Sequence, residues 1–376
     1  MKTSPSIGLM VILMMFPQIV ETIYSPALPD IARGFSVPIA VASQTLSVYF
    51  TAFALGVVTW GIVSDHLGRR TTMMLGIAIY ALAAFGAMQT QQFEYLMVLR
   101  AISAFGIAVG SVVTQTMLRD CFEGASLAKV FSYMGIGLSI SPVLGMAAGG
   151  LLAEWGGYQA VFMVLSMLAV ILWLTCLVAL AETQPKNTRK PKVLALVTVM
   201  FFDTKIWRNA LLVAGFNILL FSYYLQGPFL FEKLGFGPQI FGYSGAILAL
   251  GTLLGSLLNK KLLDMDASQP ILLQIAASMS LCGAIGVYLL DDSLLFLLPM
   301  MLIVMGFGIG IPNILSQALK NYKAQVGSAG AWFGLLYYLL IGLGLALVGA
   351  AQHLGATLVV CALFVVIISW TMKPQT

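Results

Sequence analysis

The chain has 376 residues and a formal net charge of +5; 60% of its residues are apolar and 9% charged. Soluble domains carry roughly 45–50% apolar and 25% charged residues, so these side chains could not cover a globule in water, and most of the surface must face lipid. The positive balance then reads as loop lysines and arginines against anionic lipid, with no nucleic-acid partner implied, and the scattered Cys121, Cys176, Cys282 and Cys361 imply neither a disulfide framework nor a zinc site.

A spanning helix needs about 20 apolar residues, and in lipid only helices or closed barrels satisfy their own backbone. The apolar runs here are continuous, not alternating, which predicts helices. In chain order they fall at 6–28, 43–63, 72–89, 95–117, 127–153, 159–180, 208–231, 241–258, 270–290, 294–316, 327–351 and 355–372. This is an all-α membrane protein of about twelve spans. Lys2 precedes the first run as in a signal peptide, but the run is too long and lacks a small-residue cleavage site before Pro26 and Pro29, so it reads as the first span.

The longest polar stretch, Glu182 to Lys192, lies between the sixth and seventh spans. It predicts an N-terminal six-helix bundle over 1–181, a cytoplasmic linker over 182–206 and a C-terminal six-helix bundle over 207–376. Within the linker, the ten apolar residues Val193 to Phe202 are too short to span and read as an interfacial helix. With a cytoplasmic N-terminus, the loops sort the basic residues sharply. Arg33 and Lys233 fall outside, Arg100 lies within a span, and the rest of the nineteen fall inside, from Lys2 through Arg69, Arg70 and Arg119 to Lys373. That asymmetry puts both termini in the cytoplasm.

Between the second and third spans stands Gly61-x-x-x-Asp65-x-x-Gly68-Arg69-Arg70, a link so short that its two helices form a hairpin. Gly255-x-x-x-Asn259-Lys260-Lys261 repeats it 194 residues on, and internal repeats of this kind mark two-bundle transporters with a site near the midplane. Two charges lie inside spans. Arg100 sits six residues past Glu94, roughly 9 Å below the outer edge, and Glu21 seven residues before Leu28, roughly 10 Å from the same edge. An arginine in hydrocarbon costs about 3 kcal/mol or more unless paired or wetted, which makes it a functional candidate. The pair reads either as a proton-coupling site, with Glu21 the titrating group and Arg100 tuning it, or as a static ion pair that locks packing.

Polar side chains at helical spacing predict a substrate cavity from Gln18, Glu21 and Ser25 on the first span, Asn217 and Tyr224 on the seventh, and Asn313 and Gln317 on the tenth. The fifth span carries Gly135-Ile136-Gly137-Leu138-Ser139-Ile140-Ser141-Pro142-Val143-Leu144-Gly145 with Gly149-Gly150. Pro142 bends that helix, and the glycines give a smooth surface for close packing across the two halves. Gly306-x-Gly308-x-Gly310 lies within an apolar span, without the strand–turn–helix context of a nucleotide loop. No GK[ST] phosphate loop, HExxH or GxSxG occurs, so no cofactor is expected, and transport would draw on an ion gradient.

The 61–70 link resembles the signature loop of the major facilitator superfamily, with His66 where that family usually has arginine. Leu96-x-x-x-Arg100-x-x-x-x-x-Gly106 resembles its intramembrane arginine motif, with Ser103-Ala104-Phe105 where a glutamine-glycine is common. The Gly137, Pro142 and Gly145 segment resembles the motif of its exporters, with Ser141 where glycine or alanine is usual. Tyr24-Ser25-Pro26-Ala27-Leu28-Pro29, Arg119-Asp120, Gly235-Phe236-Gly237-Pro238 and Pro312-Asn313 resemble the Bcr/CflA group of bacterial drug-resistance exporters, which carries aspartate where Glu21 stands.

The resemblance implies a conformational latch of Gly61, Asp65, Gly68, Arg69, Arg70 and Arg119, in which Asp65 pairs with Arg69 or Arg119 while Gly61 and Gly68 allow close approach. It also implies a proton-coupled antiporter, expected as a monomer in a bacterial inner membrane. Its substrates would be small, largely apolar or cationic compounds exported by alternating access. A dedicated metabolite or siderophore exporter, an importer, and a polytopic membrane enzyme or scramblase are the other readings. The last needs a cluster of histidines and acids at one face, and His66 and His353 fall on opposite sides.

Overall fold

The computed structural model describes residues 6–185 and 193–371. The termini with Lys2 and Lys373, and the stretch of the link with Lys186, Arg189, Lys190 and Lys192, lie outside the described residues. Among those described, the chain is helical throughout, without strands. Ten helices among the described residues are long and apolar enough to cross a membrane. The longest, Gly124–Ala179, breaks at Gly156 and Gly157, and the 17-residue apolar Leu354–Trp370 adds one more, which brings the segments to the expected twelve.

The spans are α1 (Ile7–Ile23), α2 (Ile39–Leu67), α3 (Arg69–Gln89), α4 (Phe93–Cys121), α5 (124–155), α6 (158–179), α7 (Thr204–Lys233), α8 (Pro238–Asp264), α9 (Gln269–Leu290), α10 (Leu297–Ala318), α11 (Val326–Ala351) and α12 (Leu354–Trp370). Past Ile23, α1 tightens into a 3₁₀ turn at Ser25–Ala27 and resumes as a helix over Leu28–Gly34. The α5–α6 corner depends on Gly157, whose φ of 62° suits glycine. A Cβ there would also collide with Asp30, whose carboxylate accepts the Tyr158 N–H at 2.8 Å.

The two halves are built alike. In the first, α1 packs on α5, α2 on α4, and α3 on α4 and α6; in the second, α7 packs on α11, α8 on α10, and α9 on α10 and α12. Between halves, α2 packs on α11 and α5 on α8. The glycines of α5 divide this labour in a way the sequence did not show. Gly137 and Gly145 face α1 in their own half, with Val11, Met15 and Thr22 where a Cβ would go. Gly150 is the one that meets α8, its Cβ position 2.7 Å from the Pro238 carbonyl and 3.0 Å from Gly242 Cα.

The halves meet at the end away from the 61–70 turn, hereafter the far face. There the Ser25 hydroxyl donates to the Tyr224 carbonyl, Arg33 pairs with Glu232, and Ser47 donates to the Gly342 carbonyl at 2.7 Å. At the turn's own end the halves stand apart around a cavity of about 370 Å³, with Gly61, Asp65 and Arg119 on one wall and Gly327, Trp332 and Tyr337 on the other. The short helix Val193–Phe201 packs against α11 at that mouth, and Val197 lines it.

Candidate functional site

A second cavity of about 360 Å³ lies deeper between the halves. α1 supplies Gln18 and Glu21, α5 supplies Pro142 and Met146, and α7 supplies Asn217 and Tyr224. Four of the seven side chains predicted for the cavity therefore line it. Asn217 uses its Nδ2 on the Val213 carbonyl at 2.8 Å, which leaves its oxygen for a ligand.

Ser25, Asn313 and Gln317 are outside that lining. Because α1 stops at Ile23 and the chain tightens to 3₁₀ geometry, Ser25 leaves the face that Glu21 occupies and bonds instead to Tyr224. Asn313 is held by Asn259, Nδ2 to Oδ1 at 2.6 Å, and by the Ile309 carbonyl. Gln317 is exposed one turn further along α10.

Sequence reasoning missed the aromatic wall. Phe50, Phe221, Phe307, Tyr337 and Tyr338 line the cavity with Tyr224. Phe50 and Phe221, from opposite halves, meet edge-to-face with centroids 4.5 Å apart, and Phe53 meets Tyr338 at 4.9 Å. Such pairs contribute about 0.5–1.5 kcal/mol beyond burial. They join α2 to α7 and α11 above the cavity. The adjacent Tyr337-Tyr338 pair was a usable signal, since two successive tyrosines in a span must point in different directions and at least one finds polar company.

Glu21 is 2% exposed and is the one acid among the lining residues. Arg100 is 1% exposed and sits behind the wall. Its guanidinium carbon lies 3.9 Å from the Tyr24 ring centroid and 4.8 Å from that of Tyr49. Desolvated cation–π contacts contribute about 2 kcal/mol each, well short of the cost of a buried charge. Arg100 makes no ion pair among the described residues, and its Nε and Nη2 are buried without partners there, as is the Tyr49 hydroxyl. Glu21 and Arg100 are near enough to interact electrostatically yet do not form the static ion pair that was one reading of the sequence.

The 61–70 turn is a hub of charged hydrogen bonds. Arg69, buried, donates from Nη1 to Asp65 at 2.5 Å and to Ser64 at 3.0 Å, and from Nε to Asp120 at 3.0 Å. Of the two partners weighed for Asp65, the structure gives it Arg69. Arg119 lies on the open mouth, 5.9 Å from the Phe131 ring. Gly68 has φ 91°, and a Cβ on it would fall 2.5 Å from Glu182 Oε2. Gly61 is different: a Cβ there would meet Val112 at 3.9 Å, ordinary contact, so this glycine keeps the mouth wide and is not a point of close approach in this state. Arg70 donates from Nη2 to the Leu177 carbonyl at 2.7 Å. Glu182, read from sequence only as the start of the linker, holds the α3 amides from the end of α6.

The far-face contacts were also missed, although the sequence carried a signal. Ser25–Tyr224 and Arg33–Glu232 are each separated by 199 residues. At the same spacing Tyr24 matches Tyr223, Pro29 matches Pro228, and Ser36 with φ 52° matches Gly235 with φ 83°. The tails of α1 and α7 are equivalent elements that touch one another at equivalent positions.

The family model of the Major Facilitator Superfamily matches residues 10–346. An uncharacterized transporter of Rickettsia bellii is 31% identical over 339 residues, covering 86% of this chain and 84% of that protein. Multidrug resistance protein D of Escherichia coli is 25% identical over 350 residues, covering 87% and 84%. Among solved structures, a bacterial homologue of the human lysosomal transporter Spinster, inward-facing and unoccupied, superposes with a TM-score of 0.75 at 15% identity over 98% of both chains. A D-xylose-proton symporter gives 0.75 at 13% identity over 96% of both. At such identities these two show the fold alone. With twelve apolar segments in two similar halves and a cavity between them, the chain belongs to the major facilitator superfamily and is a multi-pass membrane transporter, not an enzyme.

Proposed function

We propose that this transporter is a proton-coupled exporter of small, largely apolar or cationic compounds, with both termini in the cytoplasm of a bacterial inner membrane. The observation that carries the reading is a single carboxylate, Glu21, in a cavity walled mainly by aromatic and apolar side chains, whose other polar groups are uncharged. Aromatic faces attract apolar and cationic groups, and no basic residue lines the cavity to favour a phosphate or carboxylate substrate. Relatives named as multidrug, bicyclomycin and chloramphenicol resistance proteins support export. The basic-residue asymmetry puts the 61–70 turn inside, so the described state is open to the cytoplasm and closed outside.

In this reading the halves, 1–181 and 207–376, rock about the cavity as one monomer. A carboxyl gains proton affinity where water leaves it and loses affinity where a cation approaches. Glu21 lines the cavity and feels the charge of the caged Arg100, so a change of state changes its company. The turn network of Asp65, Arg69 and Asp120, with Gly61, Gly68, Arg70 and Arg119 around it, biases one state against the other from the cytoplasmic ends.

The test is Glu21→Gln, which keeps size and hydrogen bonding but cannot ionise. In proteoliposomes it binds an uncharged substrate yet fails to drive transport against a gradient, and substrate-induced proton release in weakly buffered detergent solution disappears. Normal uphill transport and proton release in Glu21→Gln would sink the assignment.

A further inference from the structure

Outside the cavities between the halves, a groove of about 370 Å³ runs between α3 and α6. Arg70, Met74 and Ala78 lie along its α3 wall, Trp173 and Leu177 along its α6 wall. Leu75 and Leu177 are exposed, so the groove opens to the lipid side of the N-terminal half and not to the transport path. Its polar groups are concentrated at one end. The Trp173 indole donates to the Met74 carbonyl at 3.1 Å, which fixes the ring in the groove. The Arg70 guanidinium spends Nη2 on the Leu177 carbonyl at 2.7 Å, while its buried Nε has no partner. Among the described residues no carboxylate pairs with the Arg70 side chain.

We propose that this groove binds an anionic glycerophospholipid, its phosphodiester on Arg70 and one acyl chain along Met74, Ala78 and Trp173. The charge is complementary: a guanidinium offers five donors in a planar fork that suits phosphate, and charge-assisted bonds of this kind are about twice as strong as neutral ones. The length also fits. From Arg70 to Ala78 the helix rises about 12 Å, which takes the upper part of an acyl chain from the interface into hydrocarbon. A zwitterionic headgroup would bring its own cation beside Arg70, so the site prefers a net negative lipid, as basic recesses between membrane helices do. The Arg70 amide sits on Glu182 beside that of Arg69, so a lipid here reaches the turn network through one residue.

The experiment offers the purified full-length protein equal amounts of phosphatidylglycerol and phosphatidylcholine in mixed micelles, followed by native mass spectrometry of retained lipid. Wild-type protein retains phosphatidylglycerol about tenfold over phosphatidylcholine. Arg70→Gln brings that ratio to about one, Arg70→Lys keeps part of it, and Ala78→Phe, which fills the groove and leaves the charge, lowers retention of the anionic lipid. In parallel, a phosphatidylglycerol with a photoreactive acyl chain labels wild-type peptides containing 70–78 and 173–177, a readout independent of whether any variant folds. Equal retention of the two lipids by wild-type protein, undiminished retention in both Arg70→Gln and Ala78→Phe, or labels confined to other helices would each overturn the proposal.

Discussion

Glu182 and Arg69 tie the end of α6 to the start of α3: Glu182 Oε1 accepts the Arg69 amide at 2.9 Å, and its Oε2 accepts that of Arg70 at 3.1 Å. A carboxylate at a helix N-terminus satisfies orphan amides and meets the positive end of the helix dipole. Burial pushes the Glu182 pKa up, but the amides of Gln184, Arg69, Arg70 and Thr183 outweigh it, so the pKa lies below the ordinary 4.5. A depressed carboxylate pKa contributes stability that is complete above the unfolded value and is lost as pH falls through the folded one. Glu182 is exposed and water screens its bonds, so Glu182→Gln loses only a fraction of about 1 kcal/mol at neutral pH, and the gap from wild type closes below the ordinary carboxylate range. Thermal unfolding in detergent from pH 7 down to about 2.5 reads this, since the contribution is lost only below the unfolded carboxylate value; a gap that does not change across that range would discard the cap.

Asp65 and Asp120 both hold Arg69, and they should fail differently. The Asp65 side chain is 49% exposed and that of Asp120 13%. Removing the buried partner leaves Arg69 held by the half-exposed Asp65 alone and its Nε buried without a carboxylate, so Asp120→Asn costs about 2 kcal/mol and lowers the yield of folded protein. Asp65→Asn leaves the Asp120 bond in place and keeps yield and substrate affinity, while the rate of transport falls as the balance between states moves. Flotation or size-exclusion yield, binding and transport rate separate the two. Equal losses of yield would mean Asp65 is a fold determinant and not a latch.

The twelve spans were legible because hydrocarbon imposes length and composition on each segment. So was the α5–α6 corner, where Gly156 and Gly157 interrupt the apolar run. The cavity was legible only in part. Gln18 and Glu21 fall on it by helical spacing, but Ser25 does not, because spacing arguments assume one helix and α1 changes geometry at Ser25. Asn313 pairs with Asn259 in α8, a partner that helix periodicity cannot name. At the repeat distance of 194 this pair corresponds to Arg119 and Asp65, so the second half carries a neutral bond where the first carries charges. The aromatic wall stayed hidden because Phe50, Phe221 and Phe307 look in sequence like any lipid-facing or core phenylalanine.

Closure of the far face depends on the approach of α5 to α8. A Cβ on Gly242 would lie 2.5 Å from the Met146 carbonyl and 3.0 Å from Gly150 Cα. Gly242→Val overpacks that contact by about 1–3 kcal/mol, enough to move the balance between states from several-fold to about a hundredfold. A cysteine placed at Asn217 in a background without other cysteines should then be labelled faster by a maleimide applied from the far face, and transport should slow. Unchanged labelling would show that the halves close without this contact.

Arg33 and Glu232 pair across the halves with both side chains more than 45% exposed, which bounds what the bond can contribute. Exposed ion pairs supply about 0.2–1 kcal/mol and weaken with salt, so this one tunes the closed far face and does not hold it alone; the Ser25–Tyr224 bond lies deeper along the same two helices. Arg33→Glu sets two carboxylates against each other and should raise far-face labelling of the Asn217 cysteine several-fold. Glu232→Arg should do likewise with two cations, although Asp292, 3.7 Å from Lys233, offers partial relief nearby. Exchanging both residues restores the pair with its direction reversed, and labelling should return close to the wild-type rate. At 1 M salt, where the screening length is about 3 Å, the differences among all four proteins should largely vanish. A double exchange as open as either single variant, or differences that survive high salt, would show that Arg33 and Glu232 act through packing and not through their charges.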